Sequence, residues 1–263
     1  MTFPTLFLSH GSPMLALEES PARAFLQSYG KTLGTPRAIV IASAHFETSR
    51  PSVTGDSHPD MIYDFRGFPA ALYRIVYPAP GDPVAAVKVA GLLEAAGFAP
   101  AVVKDRGYDH GTWVPLSLLY PAANIPVVQL SVQPQLGAAH HFAVGRALAS
   151  LRDEDILVIG SGTASHNLQE FFRGRYQTDA PTPEWVSAFD GWVRAKAEAG
   201  AIEDLVNYRD RAPFARENHP TEEHFLPFHV ALGAGGEGAR GELVHSSHDH
   251  GVLTMDAYAF RAG

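Results

Sequence analysis

Short Val- and Ile-rich apolar runs alternate with longer amphipathic stretches through the first two thirds of the chain, and this alternation restricts the fold more than any other feature. The runs are Thr5 to Ser9, Ala38 to Ala44, Ala101 to Lys104, Pro126 to Val132 and Ile156 to Gly160. Near-continuous hydrophobicity of this length suits strands covered on both faces. Helical patterns lie between them. "ESPARAFLQSYGKTL" opens on Ser-Pro, and "DPVAAVKVAGLLEAAG" puts Asp82 at the cap, Pro83 in the first turn and Gly97 at the stop. "GAAHHFAVGRALASL" has the same periodicity, and further helices are expected at Thr182 to Glu198 and Glu222 to Leu232. Strands separated by helices pair in parallel through right-handed crossovers. The expected fold is therefore an α/β sandwich with a mostly parallel central sheet and helices on both faces. "GELVHSSHDHGVLTMDAYAF" instead predicts a C-terminal antiparallel hairpin turning near Asp249 to Gly251.

No linker-like segment divides the 263 residues, so a single catalytic-size domain over 1–263 is expected. A net charge of -8 without a basic stripe argues against nucleic acid as a partner. No stretch of about 20 apolar residues could span a bilayer, so no membrane association is expected, and a cytoplasmic location follows by default. A homo-oligomer is left open. There is no cysteine, which removes disulfides, thiolate nucleophiles and sulfur ligands together. Any metal must be held by nitrogen and oxygen.

Thirteen histidines therefore carry the functional argument. Ligands of open α/β sheets bind outside the carboxyl ends of the strands. His10 follows the first apolar run, His45 follows "AIVIASA", and His166 lies just past "ILVIG" across the turn "SGTAS". "YDHGTWVPL" places Asp109 and His110 in a loop before a short helix. "ENHPTEEHFLPFHV" holds His219, His224 and His229, with a helix starting at Thr221 and Glu222 that carries His224 inward. His58, His140, His141, His245, His248 and His250 are expected on loops or helix surfaces facing solvent.

Other chemistries have weaker support. Ser161 in "GSG" lacks the spacing of a nucleophile elbow, and neither phosphate-binding glycine motif is present. Glu222 and Glu223 suit the first turn of a helix better than a catalytic carboxylate pair. Imidazole ligands fit zinc or non-haem iron, and an open site of this kind could hydrolyse with zinc or activate O₂ with ferrous iron. Residue types alone leave both open.

"SHGSP", "SAHFE", "FPAALYRIVYPAPGDP", "YDHGTWVPL", "PVVQLSV", "SGTASHNL" and "HPTEEHFLP" occur in this order and resemble the 4,5-DOPA extradiol dioxygenase family of class III ring-cleaving enzymes. The resemblance implies an extradiol dioxygenase that opens a small catechol-type substrate with O₂. It implies His10, His45 and His224 as metal ligands, His166 as the base near the metal and a further ligand when zinc is bound, and His110 as a pocket residue that hydrogen-bonds substrate or oxygen. Fe(II) is the implied cofactor for activity, with Zn(II) a substitute in purified protein. His219, Glu222 and Glu223 remain rivals for the third ligand position. A zinc-dependent hydrolase and a non-enzymatic metal-binding protein of the same fold are the alternatives. Tyr63, Phe65, Phe68, Tyr73 and Trp113 are candidate walls of an aromatic pocket, and Arg66 and Arg106 are candidate partners for a substrate carboxylate.

Overall fold

The computed structural model describes residues 2–263. Ten strands are formed: β1 (Thr5–Ser9), β2 (Ala38–Glu47), β3 (Ser52–Thr54), β4 (Ala101–Val103), β5 (Val127–Val132), β6 (Ile156–Gly162), β7 (Arg240–His245), β8 (His248–Asp249), β9 (Leu253–Thr254) and β10 (Ala257–Arg261). Eight of them make one sheet in the order β4-β3-β5-β2-β6-β1-β10-β7. Its centre is parallel: β2 pairs with β5 and β6, and β6 pairs with β1. The chain then returns antiparallel, β10 against β1 and β7 against β10. β8 and β9 form the small hairpin predicted at Asp249 to Gly251.

Side chains alternate across the sheet, as a strand period of two requires. Ile39 and Ile41 of β2 point to one face with Leu6 and Leu8, beneath helices α1 (Pro21–Leu33) and α3, which begins at His110. Val40 and Ala42 point to the other, under α2 (Pro83–Ala95) and α4 (Gly137–Ala147). The helix caps behave as their residue types predict: Ser20 accepts from the Arg23 amide and Asp82 from the Ala85 amide. Two further helices, α5 (Leu168–Gly174) and α6 (Glu184–Ala199), follow β6. Three short helical turns, α7 (Ile202–Val206), α8 (Tyr208–Arg211) and α9 (Ala215–Asn218), lead to α10 (Leu226–Ala234). No helix among the described residues is long and apolar enough to cross a membrane.

Three expectations are corrected. The last helix starts at Leu226 and not at Glu222. Pro227 favours this start: having no N–H, it costs nothing in a first turn, whereas deeper in a helix it leaves a carbonyl unpaired, as Pro115 does inside α3. His224 thus lies in the turn before the helix. Second, β2 continues past Ala44 to Glu47, so His45 lies within a strand and does not follow one. Between the pairs Ala42↔Leu130 and Glu47↔Val132, five steps along β2 match two along β5, so the pairing is irregular where His45 sits, near the strand's carboxyl end. Third, His110 is the first residue of α3 (His110–Leu119), with Asp109 as its cap, and is not in a loop.

Candidate metal centre

His10, His45, His110, His166 and His224 meet at the carboxyl rim of the parallel strands. His10 is the residue after β1, and its amide donates to the Gly162 carbonyl at 2.8 Å. Gly11 then turns the chain at φ +53°, a conformation suited to glycine. Nε2 of His45 lies 3.1 Å from Nε2 of His10 and 3.3 Å from Nε2 of His224. Two ligands about 2.0–2.1 Å from a tetrahedral ion stand roughly 3.3 Å apart, so these spacings suit one metal ion.

The outer nitrogens decide whether the inner ones can bind it. The Nδ1–H of His224 donates to Glu223 at 3.0 Å. That of His10 donates to Ser161 Oγ at 3.0 Å, and the Ser161 hydroxyl donates in turn to the Gly111 carbonyl. Gly111 has that carbonyl free because Pro115, four residues on inside α3, has no N–H to offer it. Nδ1 of His45 faces Asp64 Oδ2 at 3.4 Å. With the protons of the three imidazoles on Nδ1, the Nε2 lone pairs of His10 and His224 both face that of His45, an arrangement that repels unless a cation is shared. Burial, with repulsion from the neighbouring imidazoles, keeps them neutral. It holds His45 down to about 3 and puts His10 and His224 well below the ordinary histidine range.

His110 and His166 flank this triad. The His110 ring stands 3.9 Å from the His45 ring centre, and its Nδ1–H donates to Asp64 Oδ1 at 2.8 Å. Potential ligand atoms of His10, His45 and His110 all lie within 4.8 Å of one another, as do those of His166, Glu223 and His224. The His166 ring stacks on His224 at 3.5 Å, and its backbone amide donates to the Asn218 carbonyl at 2.9 Å. Burial first, then the His110 charge, lowers His166 to about 4. It is therefore free base at neutral pH, though a weaker one than the unshifted value of about 6.5 suggests.

The rivals fall elsewhere. His219 is buried, donates from Nε2 to the Ala164 carbonyl at 2.8 Å and stacks on Phe225, which makes it a support for the loop before His166. Glu222 accepts from the Tyr208 hydroxyl at 2.9 Å, and Glu223 serves the outer nitrogen of His224. His229 sits in the core with both nitrogens against backbone carbonyls. His141, expected in solvent, is fully buried and accepts from the Gln133 amide at 2.9 Å, because its face of α4 packs inward. His248 is half-buried and bonded to Asp190 at 2.9 Å.

Arg106 is already engaged, donating to Asp109 at 2.8 Å and to the His45 carbonyl at 3.1 Å, whereas Arg66 is exposed. Of the candidate aromatic walls, Trp113 is core, while half-buried Phe65 places its ring edge-on to His110 at 5.7 Å. Asp64 escaped the sequence reading. Its only signal is a lone carboxylate within the aromatic run "YDF". Burial alone would raise its pKa, but the hydrogen bond from His110 and attraction to His110 and His45 bring it to about 2, so it is ionised.

Residues 4–261 match the family model described as the catalytic LigB subunit of aromatic ring-opening dioxygenase. The chain is 45% identical over 260 residues to a Beta vulgaris protein named 4,5-DOPA dioxygenase extradiol, covering 97% of this chain and 96% of that one. It is 43% identical to the Escherichia coli K12 protein of the same name, covering 88% and 84%. The crystal structure of an uncharacterized Escherichia coli K12 protein superposes with a TM-score of 0.79 at 36% identity, covering 99% of this chain and all of that one.

Proposed function

The chain belongs to the LigB family of aromatic ring-opening dioxygenases, and from that membership we propose that it opens catechol-type substrates, DOPA-like dihydroxyphenyl compounds, by extradiol cleavage with O₂. The observation that carries this reading is the meeting of three Nε2 lone pairs from His10, His45 and His224 beside two further histidines, His110 and His166. We assign the triad to a single ferrous ion. Bound there, Fe(II) would supply the one-electron chemistry that lets a spin-paired catechol combine with O₂.

The chain's own residues bind and move protons. His166 enters as free base and accepts a catechol hydroxyl proton at its imidazole nitrogen. His110, its Nδ1–H held by Asp64, offers the Nε2 lone pair to a substrate hydroxyl. Phe65 provides an apolar edge beside it for the substrate ring. Both atoms of O₂ end in the product as the carbon–carbon bond next to the diol breaks, so no external reductant is consumed. All five histidines come from one chain, within the single domain over 1–263 that we propose.

Zinc fits the same three nitrogens, so metal content alone does not discriminate between a dioxygenase and a hydrolase. The test is anaerobic reconstitution with Fe(II), addition of L-DOPA, caffeate or protocatechuate, and admission of air. Stoichiometric oxygen uptake with a yellow ring-opened product is expected. No uptake with any catechol overturns the proposal.

A further inference from the structure

We propose that Asp64 is a positioning residue which uses its two carboxylate oxygens to fix the tautomer and ring orientation of His110 and His45 together. This inference rests on the site assignment above but uses none of its oxygen chemistry. Oδ1 accepts from His110 twice, from Nδ1–H at 2.8 Å and from the backbone amide at 3.1 Å. That amide is among the first of α3, which have no partner within the helix, so Asp64 is anchored to the helix end independently of the imidazole. The anchor turns Oδ2 toward Nδ1 of His45 at 3.4 Å.

The anchoring segment is itself held. The Ile62 amide donates to the Tyr108 carbonyl at 2.8 Å, and the Tyr63 hydroxyl donates to the Ile75 carbonyl at 2.7 Å. Asp64 therefore does not move freely with either ring. A neutral imidazole has one N–H, and an ionised carboxylate is an acceptor at both oxygens. Asp64 holds Nδ1–H of His110 by a hydrogen bond and sets its second oxygen, with the carboxylate charge, 3.4 Å from Nδ1 of His45, which favours the proton there and leaves Nε2 of His45 to ligate and Nε2 of His110 to accept. An amide in its place still accepts from His110 through oxygen, but presents an NH₂ group to His45. The His45 ring then has to move its proton to Nε2, which removes a metal ligand.

Full-length, metal-stripped protein tests this with Zn(II), in competition with a chromophoric chelator, and with histidine nitrogen NMR of the metal-free form. Asp64→Asn is expected to weaken Zn(II) binding by about 10- to 100-fold, the usual effect of losing a group that orients a ligand. It is also expected to shift His45 to the Nε2–H tautomer. Asp64→Glu, which keeps both acceptors, is expected to hold the Nδ1–H tautomer and bind closer to wild type. Weakening of less than tenfold in Asp64→Asn, an unchanged His45 tautomer, or Asp64→Glu as weak as Asp64→Asn overturns the proposal. If Asp64→Asn does not fold, Asp64→Glu decides: His45 found as Nε2–H there overturns it. No catechol or O₂ enters this test, so a wild-type protein that fails to open rings overturns the reaction and leaves this inference standing.

Discussion

The backbone amide of Thr163 donates to the carbonyl of His224 at 2.9 Å, so the turn that delivers the third imidazole is tied to the end of β6. The contact is possible because Gly162 precedes Thr163. A Cβ at Gly162 would stand 1.9 Å from that same carbonyl oxygen.

Gly162→Ala is therefore expected to push the 219–224 turn away, destabilise the fold by about 1–3 kcal/mol and weaken metal binding in parallel. Denaturant melts and Zn(II) titration check it. Unaltered metal affinity would show that His224 is positioned from elsewhere.

His10→Ala, His45→Ala and His224→Ala each remove one of three converging nitrogens. Metal content is expected to fall to near zero, with circular dichroism unchanged, because the three rings meet one another at the sheet's carboxyl rim and not the apolar side chains that hold the helices to the sheet. Elemental analysis of purified variants reads this directly.

His166→Gln separates binding from chemistry. Its ring stacks on His224 without sharing the close Nε2 contacts. Metal content is expected to stay near the wild-type level while kcat falls by about 10²- to 10⁴-fold, the usual contribution of a positioned base. Full activity in this variant would remove His166 from the proposed role.

Acid should destabilise the metal-free protein through histidines buried as neutral rings. Burial lowers His141 and His219 to about 3 and His229 to about 4. Unfolded histidines bind protons below about pH 6.5 while these do not, so stability is full above that pH. It is lost between pH 6.5 and roughly 3–4 by about 1.4 kcal/mol per pH unit for each group. Chemical melts at stepped pH measure the slope; a flat profile from pH 7 to 5 would contradict it.

Asp256 works in the opposite sense. Burial, then the nearby Asp190 charge, raises it from 3.8 to about 7, and it is 2% exposed. The folded form keeps its proton where the unfolded form loses it, so stability is lost as pH rises between about 4 and 7. Asp256→Asn is expected to raise Tm at pH 8 and to change it less at pH 4. A gain of several degrees is expected, as 1 kcal/mol moves Tm by roughly 2–4 °C at this size. Equal effects at both pH values would assign the change to packing.

Local chemistry alone determined the strand and helix order, because burial on both faces demands unbroken Val/Ile runs and helices announce themselves by caps such as Asp82 and stops such as Gly97. It also placed His10 and His166 near the ends of those runs, hence on one rim. Even so, the start of α10 was open to local reading, since Pro227 was in plain view.

Tertiary structure decided the rest. Neither the stretch of β2 that holds His45 within the strand nor the burial of His141 is visible in a neighbouring residue. The first depends on β5, and the second on which face of α4 meets the sheet. The same holds for the protons. His10 owes its tautomer to Ser161, 151 positions away, and through Ser161 to Gly111 and Pro115; His110 owes its own to Asp64, 46 positions away. An imidazole presents a lone pair only when something else holds its proton, and in this chain the holders of His10 and His110 come from other segments of the fold.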